Sequence, residues 1–554
     1  MTDRAILGSW TLATDGRDGS GAGHHAAVNG RVTFGSSADP AVARDVARFD
    51  GDGRLEVDAE IALGSSEFTL TAWIRAPIDA RTSLGDLAAL FDPEGRRGFS
   101  IGLHHSSPCG NHGNDRNLFF GIDAGSEVRW SDLGRPSPST IMVCALAAFE
   151  GDLYAATWES GASEIGGVYR LDGEAWTDCG TPGGANAVTR LAVHRGHLYA
   201  GSSRLRGGGS GMPDSTNDRP GGHVFRFEGG TGWSDRGGLE GADSIAGLVP
   251  FAGDLYAIPM YSEGLFRLDD GGPTACGTPG RRLLALGVHR GALLGAGNDH
   301  ADVASAIAQT GAGIVVPPRS EDGGGGMFRF DPDVGWSGLG LQPDTTQVYS
   351  IETFDGGLFI GTWPNGLVFR HGGDDRWVSQ GRLGNDTEVM NLLAYQGKLY
   401  GGTLPGAAVH RFDGPDMWPR VGVLDTTPDV RYRRAASMVV HDGRLVCGTL
   451  PSGRVHAMRV GLMATGDAAL PEGWRHVAAV RRRDGVELFV GGVRVGRAGD
   501  DRTAPNMDLG SGSLVLGGGP RGGFEGELAD VELHAAALDV ADIARLAARS
   551  PGDA

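Results

Sequence analysis

The feature that most constrains this chain is a five-residue phrase occurring seven times in its middle. It reads Leu-Tyr-Ala-Ala-Thr at 153–157, Leu-Tyr-Ala-Gly-Ser at 198–202, Leu-Tyr-Ala-Ile-Pro at 255–259 and Leu-Leu-Gly-Ala-Gly at 293–297. Leu-Phe-Ile-Gly-Thr at 358–362, Leu-Tyr-Gly-Gly-Thr at 399–403 and Leu-Val-Cys-Gly-Thr at 445–449 complete the series. Each copy follows an apolar strand, an aromatic residue or His (Phe149, His194, Phe251, His289, Phe354, Tyr395, His441) and a two-residue turn. A third strand comes next, as in Gly-Gly-Val-Tyr-Arg-Leu-Asp-Gly at 166–173, and then a Trp with Gly four residues on. Four short strands per unit, repeated every 38 to 65 residues, predict the blades of a seven-bladed β-propeller.

The Trp strands also predict how the ring closes. They fall at Trp130/Gly134, Trp176/Gly180, Trp233/Gly237, Trp336/Gly340, Trp377/Gly381 and Trp418/Gly422, with Pro273/Gly277 as a degenerate copy. The first precedes every other blade element, while the last blade stops at its third strand, 454–460. An open ring would leave two sheet edges unpaired, so the strand at 128–134 is expected to fill the outer place of the last blade.

Outside the repeat, 1–126 and 462–554 read as short alternating strands. Asp-Gly-Ser-Gly-Ala-Gly-His-His at 18–25, Arg-Phe-Asp-Gly-Asp-Gly at 48–53 and Phe-Thr-Leu-Thr-Ala-Trp-Ile-Arg at 68–75 belong to the first part. Trp-Arg-His-Val-Ala-Ala-Val at 474–480, Val-Glu-Leu-Phe-Val-Gly-Gly-Val-Arg-Val at 486–495 and Phe-Glu-Gly-Glu-Leu-Ala-Asp-Val-Glu-Leu at 524–533 belong to the second. These phrases resemble the two halves of a laminin-G-like, concanavalin A-type jelly roll, and the repeat is similar to kelch-like blades. The resemblance implies an all-β protein in which the propeller (127–461) is inserted into the β-sandwich. It also implies a lectin-like domain of a kind that often binds calcium, with Asp18 and Asp530 at the recurring acidic positions. Trp73, Trp474 and His476 lie inside the same phrases and read as core and turn residues.

Composition narrows the partners. A net charge of −19 argues against phosphate backbones and anionic membrane surfaces, and no apolar run reaches the length of a membrane-spanning helix. Five cysteines without a CxxC indicate neither a disulfide framework nor a zinc site. Reduced thiols and an N-terminus without a basic-then-apolar leader point to the cytoplasm.

Long interruptions at 203–221 and 298–325 separate the second and third strands of two blades, and in a propeller these loops lie on one face. The residues expected around that mouth are Trp158, Met260, Tyr261, Asn298, Asp299, His300, Tyr349, Trp363, Asn391, Arg431, Tyr432 and Arg434. Aromatic walls with mixed polar groups suit a sugar; ordinary loop residues are the competing reading. His194, His289 and His441 occupy one repeat position in separate blades, which favours packing over metal binding. Asn-Asp-His at 298–300 offers an acid/base pair without a matched second carboxylate, and the Ser-x-Asp-x-Gly-x-Thr-Trp boxes of sialidases are absent.

The leading reading is therefore a non-enzymatic carbohydrate- or protein-binding protein. The rival is a saccharide hydrolase or lyase using the jelly roll as an accessory module, which titratable groups with strongly shifted pKa at the mouth would favour. An interaction scaffold is a third reading, and it would show as a large apolar patch.

Overall fold

The computed structural model describes residues 5–64, 66–92, 94–160, 164–298, 326–342, 345–499 and 511–549. Among them the chain is a seven-bladed β-propeller inserted into a concanavalin A-like β-sandwich. One sandwich sheet runs Val32–Ser36, Asp45–Asp50, Glu525–His534, Phe68–Arg75, Arg475–Arg482, Gly485–Val490, Val493–Gly499, with Ile6–Trp10 also on Glu525–His534. The other runs Ala26–Asn29, Arg54–Ala62, Ser511–Leu516, Asp86–Asp92, Arg97–Ser106, Asn114–Asp123, Leu462–Ala469. Strands from the two ends of the chain alternate through both sheets. Their inward faces, including Trp10, Phe68, Phe99, Phe120, Leu488, Leu514 and Phe524, form one core. The helix Val540–Ala547, capped by the Asp539 side chain, lays Ile543 on Phe489 and Val480. No helix of the described residues is long and apolar enough to cross a membrane.

Each blade begins with a hairpin such as Thr140–Phe149 with Asp152–Glu159. The residues at its turn, Glu150, Arg195, Ala252, Arg290, Asp355, Gln396 and Asp442, all have φ between +45° and +52°, and a Gly with positive φ follows each. Two consecutive left-handed residues match the twist of a tight hairpin, which explains the Gly of the repeat. The Trp has an equally local reason. The indole N–H of Trp176 donates to Leu133 O (2.9 Å), Trp233 to Cys179 O (2.8 Å), Trp377 to Leu339 O (2.7 Å), Trp418 to Gln380 O (2.9 Å) and Trp130 to Val421 O (3.0 Å). Every acceptor directly precedes the Gly of the neighbouring blade's Trp strand, so Trp and Gly together fasten blade to blade.

The ring closes with Arg129–Asp132 on the outer edge of the sheet containing Arg434–His441, Arg444–Leu450 and Val455–Arg459, with Trp130 opposite Met458. This is the pairing expected from the spacing of the Trp strands. Chain entry and exit lie side by side. Ile122 pairs with Leu462 in the sandwich, and Arg129 pairs with Arg459 in the propeller.

The sandwich sits on the hairpin-turn face. Ala252 N donates to Ala80 O, Gly291 N to Arg81 O, Asp355 N to Pro520 O and Gly151 N to Asp467 O. Lys398 of the sixth blade pairs with the buried Asp123, where the chain leaves the sandwich.

Candidate functional site

The connection between the sandwich strands Arg97–Ser106 and Asn114–Asp123 enters the channel of the ring. His112 joins the inner strand of the second blade in parallel, its N–H donating to Leu191 O (3.0 Å) and its carbonyl accepting from Val193 N (2.9 Å). Gly113 O accepts from Ala148 N (2.8 Å) of the first blade, and Asn114 exchanges bonds with Val440 N (3.0 Å) and O (2.8 Å) of the seventh. The tip Pro108–Gly110 lies against the inner strands of the third to seventh blades. Gly110 is needed there: its φ is +74°, and a Cβ would stand 3.0 Å from Ala246 O and 3.2 Å from Gly247 Cα. The channel is therefore filled from the sandwich side.

At the other end the first residues of the inner strands form a ring: Thr140, Ala187, Ile245, Arg282, Gln347, Glu388 and Arg434. Tyr349 adjoins it from a bulge. Burial pushes Glu388 up from its usual range against the pull of Arg434 and of the Tyr349 hydroxyl. Burial also raises Tyr349 well above its usual value and lowers Arg282 to about 10. Glu388 Oε2, Arg282 Nε and Asn391 Oδ1 are buried without a hydrogen-bond partner. Glu159, another carboxylate at this end, is instead saturated by the hydroxyls of Ser137, Ser139, Thr140 and Thr157 at 2.5–2.8 Å.

The insertion 203–221 folds over part of this ring. Arg206 stacks on Tyr261 (4.3 Å to the ring centre) and its N–H donates to the Tyr261 hydroxyl (3.2 Å), while Gly211 lies against Tyr432 and Arg431. Leu205 and Met212 pack on Met142, Trp158, Ala436 and Leu450. Glu164 pins the far side through Ser215, Thr216 and Asn217.

The twelve expected mouth residues consequently separate. Tyr261, Tyr349, Tyr432 and Arg434 gather with Arg282 and Glu388. Arg431 is exposed over the Tyr432 ring (4.9 Å), and Trp363 is half-buried at the end of its strand. Trp158, only 1% exposed, is roofed by Leu205 and Met212, so its indole is core in this structure. Asn298 and Asn391 are buried among strands, the latter donating to Ala435 O (3.0 Å). Met260 is half-buried, and its carbonyl accepts from Arg282 Nη1 (3.0 Å). Asp299 and His300 lie outside the described residues. Arg282 and Glu388 were missed although they share Arg434's place in the repeat; aligning the first strands as closely as the second would have shown them.

In the sandwich, Asp18 accepts from Ser9 N (2.9 Å), Ser20 N (2.8 Å), Ser20 Oγ (2.9 Å) and His24 N (3.0 Å). These bonds outweigh burial and hold its carboxyl at about 2. Asp530 pairs with Arg44 Nη1 at 2.7 Å. Calcium takes six to eight oxygens, and an ion at Asp18 would have to displace the N–H donors of Ser9, Ser20 and His24. Trp73 packs edge-on to His476, and Trp474 donates to Ser37 Oγ (3.1 Å). His194, His289 and His441 stay apart in their own blades; His289 meets Thr353 Oγ1 (2.9 Å) and His441 meets Gly151 O (3.1 Å).

A cleft of about 290 Å³ opens at the seam between sandwich and ring, lined by Arg54, Arg96, Arg290, Asp52, Glu56 and Asp355 among others. Behind it lies a buried charge group in which Arg521 N donates to Asp86 Oδ2 (2.7 Å). Burial raises Asp86 to about 7 despite the Arg521 charge. Between the ordinary 3.8 and about 7 the folded chain keeps a proton that the unfolded chain releases, so this group's contribution to stability falls as pH rises through that window. Asp86→Asn should therefore gain stability relative to the parent between pH 4 and 7 and hold a constant difference above it, read from paired thermal melts.

A laminin G model, described as the concanavalin A-like lectin/glucanases superfamily, matches residues 444–544, from the last strands of the seventh blade into the C-terminal helix. No curated protein sequence matches the chain. Among solved structures the chain is similar to a streptogramin B lyase at 11% identity, covering 60% of this chain and 98% of that one with a TM-score of 0.45. It is also similar to an inactive variant of virginiamycin B lyase from Staphylococcus aureus with quinupristin, at 11% identity, 60% and 100% coverage and a TM-score of 0.44. A gluconolactonase from Xanthomonas campestris is similar at 14% identity, 48% and 82% coverage and a TM-score of 0.31.

Proposed function

We propose that the protein is a non-enzymatic recognition protein that binds a glycan or protein ligand at the propeller mouth, the lectin-like sandwich serving to close the opposite face. The observation that carries this reading is the pair of unpartnered buried atoms on the mouth ring, Glu388 Oε2 and Arg282 Nε. Buried polar atoms are normally satisfied, and a polar ligand entering the mouth would supply what the protein does not. Flanking Tyr261, Tyr432 and Trp363 offer faces on which a sugar ring or a peptide side chain can stack.

A glycan array and a peptide array probed with the full chain test this reading. Binding that weakens about tenfold in Trp363→Ala, with the melting temperature nearly unchanged, is the expected result. Trp158→Ala should behave differently, losing about 3–5 kcal/mol of stability because its indole fills the core beneath the insertion. A ligand that ignores Trp363→Ala and Arg282→Ala but is lost in Arg54→Ala/Arg290→Ala would move the site to the seam cleft.

A second reading is supported by Glu388. A buried carboxyl with a raised pKa beside Tyr349 is what a general acid needs, which keeps a saccharide hydrolase or lyase in view. Glu388→Gln separates the two: an enzyme would lose turnover and retain binding.

A further inference from the structure

Three side chains on the channel hairpin stand together and take no part in the mouth. His105, His112 and Asp115 are buried and present ligand atoms all within 4.8 Å of one another. Asp115 Oδ1 lies 3.1 Å from His105 Nδ1 and 3.7 Å from His112 Nε2. The two imidazoles are close to perpendicular, 70° apart, with ring centres separated by 4.3 Å. We propose that His105, His112 and Asp115 bind a divalent transition-metal ion, zinc first among them, which fastens the sandwich hairpin inside the propeller channel.

A hydrogen-bonded triad explains only half of the arrangement. It accounts for the contact between His105 and Asp115, but neither nitrogen of His112 has a hydrogen-bond partner although the residue is 1% exposed. Buried polar atoms without partners call for an explanation, and an unseen ion is one. An ion held among His105 Nδ1, His112 Nε2 and Asp115 Oδ1 would use one of those nitrogens. Two imidazoles and a carboxylate suit zinc, whereas calcium and magnesium prefer all-oxygen sets.

There is room for a further ligand. A cavity of about 10 Å³ is lined by His105, Ser106, His112 and, from the fifth blade, Glu352, enough for about one water-sized group. Glu352 Oε2 and Ser106 Oγ are likewise buried without partners. A dication facing Asp115 and Glu352 would be neutralised by carboxylates from both sides of the seam.

The full, tag-free chain produced in zinc- or cobalt-supplemented medium tests the proposal. The expected result is about one equivalent of metal per chain, retained through dialysis against a chelator. The cobalt form should show the strong visible absorption of a low-coordinate nitrogen/oxygen site. Stripping the metal should lower the melting temperature. His112→Gln/Asp115→Asn should lose the metal, while His194→Phe, which changes a nearby imidazole outside the triad, should keep it. Wild-type protein holding less than about a tenth of an equivalent of both metals overturns the proposal, and this measurement decides the matter even if the double variant fails to fold. Metal retained by a folded double variant overturns it equally.

Discussion

Residues 1–126 expressed alone will not form a folded domain. In one sandwich sheet the strand Glu525–His534 stands between Asp45–Asp50 and Phe68–Arg75; in the other, Ser511–Leu516 stands between Arg54–Ala62 and Asp86–Asp92. Removing the C-terminal strands therefore takes out interior members of both sheets. The remaining strands lose their ladder partners and about a third of the shared core, including Leu488, Leu514, Leu516, Phe524 and Val531. Unpaired strands with exposed apolar faces aggregate. The expected outcome is insoluble material, or a soluble chain without a cooperative melt. A cooperative transition from this fragment would show that the sandwich is not shared between the chain ends. Residues 127–461, by contrast, should be soluble and melt cooperatively, because Arg129–Asp132 seals the ring from within. Their melting temperature should lie below that of the full chain, since the channel loses the hairpin that fills it.

Lys398→Met should be among the most damaging single substitutions, costing about 3–5 kcal/mol. Lys398 is 5% exposed and Asp123 1% exposed. The Asp123 carboxylate also accepts from Gly125 N (2.9 Å) and Ser126 N (2.8 Å), which fixes the strand-to-propeller crossover. Taking away the ammonium leaves a buried anion with only these two neutral donors. Breaking a buried pair from one side is far worse than replacing both partners, so Asp123→Asn on top of Lys398→Met should restore most of the loss. Paired thermal or denaturant melts read both effects. If Lys398→Met melts like the parent, the pair contributes nothing and the crossover is held by its backbone alone.

The parts of this fold legible in the sequence were those with a local physical cause. The turn before each Leu-Tyr phrase needs left-handed backbone, hence Gly196 or Gly253; the Trp strand needs a carbonyl one blade away, hence the Trp176 and Trp233 spacing. Because the causes recur, so do the residues. The channel hairpin has no such signature. Nothing in Pro-Cys-Gly-Asn-His-Gly at 108–113 announces that it threads a ring, since its partners Ala148, Leu191 and Val440 are distant in sequence. For the same reason nothing in the sequence sets His105, His112 and Asp115 apart, whereas the blade histidines recur at one place in the repeat. The mouth is partly legible: Tyr349 and Arg434 stand where their places in the repeat put them, at the mouth end of the inner strands, whereas the burial of Trp158 under the insertion depends on Leu205 and Met212, which no repeat position announces.

The interleaving of chain ends in the sandwich has a consequence for biosynthesis. The strand ending at Asp123 and the one beginning at Leu462, which pair directly, are separated by about 340 residues. At ribosomal rates of about 5–20 residues per second, the N-terminal strands wait roughly 20–70 seconds for their partners. During that interval the ring can assemble and close, since all of its strands emerge before residue 462. The nascent chain thus carries a finished propeller beside an unfinished sandwich whose strand edges are open. Protection of those edges by a chaperone, and not the speed of propeller closure, should then set the yield of native protein.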